Sequence, residues 1–207
     1  MDIHIENLGK RFVKEWIFRN FNYTFKFNTS CAITGANGSG KSTFLQIISG
    51  IIPATEGKIS YNLKGNIIED AEVYKHISIV APYQNVIDEF SLEELYNFHF
   101  SFKSPLNKDL KFVDWVEKLN LSNHSNKLIS NFSSGMKQRV RLGLAFYTQS
   151  NLLLLDEPTN NLDASGIDWY HKEIQNRISH STIIICSNQR FEYSFCDEII
   201  DLNQWKK

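Results

Sequence analysis

The eight-residue stretch GANGSGKS constrains the fold of this chain more than any other feature of its sequence. It fits the pattern G-x-x-x-x-G-K-[ST], and it lies between a short apolar run, Cys31–Thr34, and a helical pattern over Lys41–Ser49. A glycine-rich turn in that context lets backbone N–H groups surround phosphates, while the lysine adds a charge and the serine hydroxyl can bind Mg²⁺. The sequence therefore predicts a nucleotide triphosphate site formed by Gly35, Ala36, Asn37, Gly38, Ser39, Gly40, Lys41, Ser42 and Thr43.

A second apolar run ends in two carboxylates. Leu152–Leu155 reads as a strand that is buried on both faces, and Asp156 and Glu157 follow it directly. Ligands of open α/β sheets bind at the carboxyl ends of the strands. We therefore expect Asp156 to join Ser42 in holding Mg²⁺, and Glu157 to polarise the water that attacks the γ-phosphate.

Strand-length apolar runs alternate with helical patterns along most of the chain, which predicts an α/β fold with a mostly parallel sheet. The further predicted strands are Ile77–Val80, Thr182–Cys186 and Glu198–Leu202, and a helix is predicted over Asp163–Ser179. The first 28 or so residues predict an antiparallel β region. Between about 85 and 149 the patterns are helical, starting with a capping box at Ser91-Leu92-Glu93-Glu94, so we expect a helical subdomain inserted into a single domain spanning 1–207.

Composition and charge limit the functional classes. A net charge of −1 gives no overall electrostatic reason to expect binding of nucleic acid. The cysteines Cys31, Cys186 and Cys196 are scattered, which is typical of buried thiols in a reducing compartment. The N-terminus has no signal-peptide pattern, and no apolar run is long enough to span a bilayer. We therefore expect a cytoplasmic protein, in which any work at a membrane depends on another chain that supplies the spanning helices.

The stretch FSSGMKQR, from Phe132 to Arg139, combines small hydroxylated residues, a glycine and basic residues at the start of a predicted helix. A helix N-terminus offers free N–H groups and a partial positive charge, so these residues are typical of a second phosphate site. One small domain has no evident need for two such sites.

In the order of these motifs the chain resembles the ATP-binding subunits of ABC transporters over essentially its whole length. The resemblance implies a P-loop NTPase core that hydrolyses ATP with Mg²⁺, and FSSGM takes the place of the family's LSGGQ signature. In that family two such domains pack head to tail, and each signature serves the ATP held by its partner. The residues with this implied role are Ser133, Ser134, Gly135 and Met136, with Asp163 of the D-loop-like Asn161-Leu162-Asp163. Lys137 and Arg141 would add positive potential there.

The resemblance also implies partners. We expect the second ATP-binding subunit to be a copy of this chain. An integral membrane permease, encoded separately, would place the pair peripherally on the cytoplasmic face of the membrane. No nucleic-acid partner is expected.

Three positions differ from the family's pattern or leave a choice open. For stacking on adenine, Phe12 stands at the family's spacing and Trp16 lies close behind it. The family's glutamine that reaches Mg²⁺ aligns with Pro82, and Gln84 stands two residues later, where it would serve as a metal and nucleotide contact only if the loop re-forms. The family's histidine at the γ-phosphate is replaced by Asn188, for which we expect slow turnover.

Other classes of protein remain in competition with an ATPase motor. The alternative is a regulatory or scaffolding ABC subunit that binds ATP and hydrolyses it poorly, which Asn188 and Pro82 favour, whereas Lys41, Asp156 and Glu157 favour the enzyme. Soluble ABC proteins usually carry two such domains or long coiled-coil arms. Small kinases and GTPases share the phosphate loop but leave FSSGMKQR unexplained.

Overall fold

Strands and helices alternate along the chain in the computed structural model, which describes residues 1–206. The elements are β1 Asp2–Phe12, β2 Glu15–Phe25, β3 Ser30–Thr34, α1 Lys41–Ile48, β4 Glu56–Leu63, β5 Asn66–Ile68, β6 Ile77–Val80, α2 Leu92–Phe102, α3 Phe112–Lys118, α4 Ser134–Tyr147, β7 Leu152–Asp156, α5 Ala164–Ile178, β8 Thr182–Cys186, α6 Arg190–Tyr193 and β9 Glu198–Asp201. Short 3-10 turns link several of them. The mixed α/β fold predicted from the sequence is confirmed.

The central sheet is parallel, in the order β6-β7-β8-β3-β9. Every residue of β7 and β8 is buried, because helices or a second sheet cover both faces. Val80 pairs with Leu155, and Asp156 pairs with Cys186. The carboxyl ends of these strands therefore meet at one edge, and the residues that follow them are close in space.

A four-stranded antiparallel sheet lies against one face of the core, in the order β2-β1-β4-β5. The hairpin of β1 and β2 is the predicted antiparallel region, whereas β4 and β5 were not predicted from the sequence. In β4 the apolar residues Ile59, Tyr61 and Leu63 alternate with polar ones, which is a weaker signal than a continuous apolar run. Lys64 and Gly65 both have positive φ and close the β4–β5 turn, so a short hairpin signal was present.

The parallel sheet separates two apolar cores. Leu152 and Leu154 face the antiparallel sheet and α1, in a core rich in phenylalanine. Leu153 and Leu155 face the opposite side, where they join residues of the helical region and α5. This alternation follows from the two-residue period of a strand. Helix α1 packs in the first of these cores and helix α4 packs in the second.

The helical region begins as predicted. The Ser91 hydroxyl accepts a hydrogen bond from Glu94 N at 3.2 Å, and the Glu94 carboxylate accepts one from Ser91 N at 2.7 Å, which completes the capping box. Trp115 of α3 and Val140 of α4 belong to the same core as Leu153 of the sheet. The region therefore packs directly on the sheet, and its limits at about 85 and 149 stay a prediction.

Within residues 1–206, no helix combines the length and the apolar character needed to cross a bilayer. Cys31 and Cys186 are buried and Cys196 is half-buried, and all three are free thiols.

Candidate functional site

The phosphate loop joins β3 to α1, as the sequence predicts. Gly40 has φ of 98°, and a Cβ on it would lie 2.2 Å from Ile17 Cγ2, so a residue with a side chain would be strained and would also clash. The ammonium of Lys41 donates to Gly35 O at 2.8 Å and to Ala36 O at 3.3 Å, which folds this side chain back over the loop. A cavity of about 290 Å³ opens above it, lined by Ile17, residues 37–43 and Glu157. Nothing in the sequence pattern distinguished Ile17.

Asp156 ends β7 with its side chain directed into the protein, 2% exposed. Burial raises the pKa of this carboxyl to about 6, although the Ser42 hydroxyl opposes that shift. Its Oδ2 is buried and accepts no hydrogen bond from any residue of the described chain. A buried carboxylate oxygen without a donor is stabilised by a cation, and hard oxygen ligands beside a serine hydroxyl suit Mg²⁺. The side chains present therefore fit the metal that the motifs predict.

Glu157 follows directly and is exposed, so the two adjacent acids have different surroundings. Its φ of 45° lies in the left-handed region, which is unusual for glutamate, and its N–H donates to Cys186 O at 2.9 Å. Glu157 lines the phosphate-loop cavity and also a neighbouring cleft of about 600 Å³. The strained backbone therefore aims the carboxylate at the space above the loop.

Asn188, at the position predicted to face the γ-phosphate, lies in this same cleft. Its Nδ2 donates to Oδ1 of Asn37 at 3.0 Å, so its amide is bonded to the phosphate loop itself. Asn188 is exposed and shares the cleft lining with Glu157. The structure thus brings together Asn37, Lys41, Glu157 and Asn188.

The structure does not bring Gln84 to this site. Its Oε1 accepts a hydrogen bond from Ala81 N at 3.2 Å, and it lines a separate cavity beside α2. Arg141 fixes this turn by donating to Gln84 O at 2.8 Å. Burial and then the Asp156 charge raise the pKa of Tyr83, one residue earlier, to about 12. Nothing in the sequence pattern distinguished Tyr83.

The signature helix α4 begins where the sequence predicts a helix start, directly after Ser133. Ser133 caps it, accepting a hydrogen bond from Met136 N at 3.2 Å, and Ser133 and Ser134 are exposed. Gly135 passes so close to the D-loop that a Cβ there would lie 2.7 Å from Asn161 O. Residues 133–136 do not line the cavity over their own phosphate loop in the described chain.

Lys137 and Arg141, which were expected to add positive potential at this helix start, both contact acceptors within their own chain. Lys137 forms an ion pair with Asp88 at 2.7 Å, which offsets its charge. The guanidinium of Arg141 lies one turn further along and is directed inward, at Gln84 O. Spacing along the helix placed both residues on one face, but it gave no information on the acceptors opposite them.

Asp163 serves its own chain in this structure. Its Oδ1 accepts hydrogen bonds from Gly166 N at 2.8 Å and from Ser165 Oγ at 2.9 Å, so it caps α5. Arg139 of the signature helix lies 3.5 Å from the same carboxylate. The D-loop and the signature helix are therefore connected within one chain.

The hairpin end that is predicted to meet adenine lies beside the loop, because Ile17 contacts Gly40 there. Phe12 is 48% exposed, and Lys10 Nζ lies 4.9 Å from its ring centroid. The Trp16 ring has two guanidinium groups against it, Arg11 at 5.2 Å and Arg19 at 4.4 Å. Phe12 is thus the more open of the two aromatic rings.

Comparison with known proteins agrees with this geometry. The sequence model described as "ABC transporter" matches residues 18–160. The ABC transporter ATP-binding protein YybJ of Bacillus subtilis is 33% identical, over 97% of this chain and 92% of its own length. The lantibiotic transport ATP-binding protein SrtF of Streptococcus pyogenes is 30% identical, over 90% of this chain and 79% of its own.

Solved structures show the same fold. An ABC transporter ATP-binding protein from Pyrococcus furiosus superposes with a TM-score of 0.84 at 22% identity, over the whole of both chains. The ATP-binding cassette MJ0796, in a dimeric post-hydrolysis state bound to ADP and phosphate, gives a TM-score of 0.80 at 19% identity, over 97% of this chain and 94% of its own. With its phosphate loop, paired carboxylates and signature helix in place, the chain belongs to the ABC transporter family, as an ATP-binding subunit that hydrolyses ATP.

Proposed function

We propose that this subunit drives transport by hydrolysing Mg²⁺-bound ATP, with Ser42 and Asp156 holding the metal and Lys41 holding the phosphates. Glu157 then polarises the attacking water, and Asn188 faces the γ-phosphate. The observation that carries this assignment is the partnerless buried Oδ2 of Asp156 beside the phosphate loop. Adenine stacks on Phe12, the more exposed ring. Phosphate release that continues unchanged after EDTA removes divalent cations would contradict the metal assignment.

We further infer that two copies of the chain act head to tail. The exposed Ser133, Ser134 and the start of α4 carry phosphate-binding chemistry but have no phosphate loop of their own chain in front of them. A second copy would supply one, which accounts for two phosphate sites in one small domain.

Two substitutions separate the roles of the two phosphate sites. Lys41→Ala removes a charged donor from the chain's own site, so ATP affinity should fall by about 10- to 100-fold. Ser133→Arg adds bulk to the site offered to the partner, so the monomer should bind ATP normally and fail to dimerise. Equilibrium binding and light scattering measure the two effects. Ser122→Arg is the matched control, because Ser122 is an exposed serine at the start of a short 3-10 helix elsewhere in the chain. Weaker ATP binding by the Ser133→Arg monomer would contradict the proposal.

The membrane partner is proposed to be a separate permease that docks beside α2 and keeps the subunit on the cytoplasmic face of the membrane. Tyr74, Phe98 and Phe102 are 61%, 46% and 75% exposed, and the last two line a cavity of about 410 Å³. The ring centroids of Phe98 and Phe102 lie 5.2 Å apart, and large exposed aromatic side chains that lie this close together are typical of interaction surfaces. A protein segment with apolar side chains would bury them.

Phe102→Glu should reduce recovery of the permease at least tenfold while ATP binding is unchanged, because a charge would have to be buried in the contact. The measurement is affinity purification from detergent extract, followed by identification of copurified polytopic membrane proteins. Val113→Glu is the control, since Val113 is 72% exposed on α3. Equal recovery with both variants would place the permease elsewhere, and a ribosomal or nucleic-acid partner in place of any permease would overturn the transporter role.

A further inference from the structure

A buried glutamate joins the two loops that carry the proposed catalytic side chains. Glu192, at the end of the cleft, is 1% exposed. Its Oε1 accepts hydrogen bonds from Thr159 N at 2.8 Å and from the Thr159 hydroxyl, and its Oε2 accepts one from the Ser187 hydroxyl. Thr159 lies two residues after Glu157, and Ser187 lies one residue before Asn188.

This carboxylate has no Lys or Arg partner among the ion pairs found in residues 1–206. A buried acid without an opposite charge is costly, and it persists where several donors satisfy it at once. The donors here come from two different strand ends, β7 and β8, which a shorter or apolar side chain could not connect. The Ser187 hydroxyl also accepts a hydrogen bond from Gln189 N at 2.8 Å, so the hydrogen-bond network includes residues on both sides of Asn188.

The backbone of Glu192 is fixed as well. Tyr170 of α5, fully buried, donates its hydroxyl to Glu192 O at 2.9 Å. The glutamate is thus held to α5 at its backbone and to both loops at its carboxylate. Displacing either loop would break a bond to the same buried group.

We propose that Glu192 is a positioning residue for hydrolysis, which sets the distance between the carboxylate of Glu157 and the amide of Asn188. The inference rests on the proposed roles of those two residues. It adds that neither loop takes up its catalytic position independently of the other. Glu192 itself touches no reacting atom.

Single-turnover hydrolysis at saturating ATP tests this role. Glu192→Ala should slow hydrolysis by about 10- to 100-fold, because a displacement of about 1 Å can cost that much, while ATP affinity changes less than about threefold. Glu192→Gln keeps an oxygen for Thr159 and should recover most of the rate. When Ser187→Ala is combined with Glu192→Ala, the loss of rate should be clearly smaller than the sum of the two single effects, because both changes remove the same hydrogen bond.

Glu173→Ala is the matched control. Glu173 is also buried, 9% exposed, and is bonded to the Tyr147 hydroxyl away from the cleft, so its loss should lower stability without slowing hydrolysis. All variants are compared at a temperature where thermal unfolding shows each of them folded. Equal rates for Glu192→Ala and Glu173→Ala, or additive effects with Ser187→Ala, would overturn the inference. Glu157→Gln is measured alongside: if it hydrolyses ATP at the wild-type rate, the proposed catalytic assignment fails first.

Discussion

In the Glu157→Gln variant, ATP is expected to drive two chains into a stable dimer, and hydrolysis should slow by about 10²- to 10⁴-fold. Glutamine keeps the size of the side chain but cannot accept the proton of the attacking water. Lys41, Asp156 and the loop N–H groups are unchanged, so ATP binding should persist. Two trapped ATP molecules would then each contact one phosphate loop and the partner's Ser133, and these shared contacts would hold the dimer together.

Light scattering with Mg²⁺ and ATP should show doubled mass for this variant and the monomer mass without nucleotide. Glu117→Gln, an exposed glutamate of α3, is the matched control and should behave like wild type. Adding Ser133→Arg to Glu157→Gln should restore the monomer. A monomer at every accessible concentration would mean that a different subunit completes the site, and an unchanged rate would mean that Glu157 is not the base.

The sequence predicted the features of the site that are local. Gly40 and Lys41 are specified by a loop that must curl between a strand and a helix, and Asp156 is specified by the end of a buried strand. The capping box at Ser91 is local in the same sense. In each case the local conformation depends on a few consecutive residues, so it can be predicted without knowledge of the rest of the fold.

The features that the sequence did not predict depend on contacts between distant segments. Gln84 is turned away because Ala81 N and the guanidinium of Arg141, 57 residues later, fix its turn. Glu192 meets Thr159 across 33 residues, and no pattern in either segment indicates the other. The antiparallel strands β4 and β5 were missed for a different reason, since their alternating pattern is weak in a single sequence.

Asn188→His is expected to raise the rate of hydrolysis by roughly tenfold or more, because a lost hydrogen-bond donor to transition-state charge typically costs 10²- to 10³-fold. The asparagine amide nitrogen ends about 1 Å short of the outer ring nitrogen of a histidine, so a contact of about 2.9 Å to the γ-phosphate would be stretched beyond useful range. The amide is also held at Asn37 Oδ1, 3.0 Å away, and would have to leave that bond to reach the nucleotide. ATP affinity should change little, since Lys41 and the loop N–H groups remain.

Steady-state phosphate release is compared for wild type, Asn188→His and Asn188→Ala, in the complex with the membrane subunit. Gln189→His is the matched control, because it adds the same imidazole one exposed position further along and should give no gain. Fast wild-type hydrolysis that Asn188→Ala leaves unchanged would show that this side chain is not the γ-phosphate contact. If the wild type is slow and Asn188→His does not accelerate it, the limit would instead be assigned to the loop of Pro82 and Gln84, where the Gln84 side chain accepts a hydrogen bond from Ala81 N.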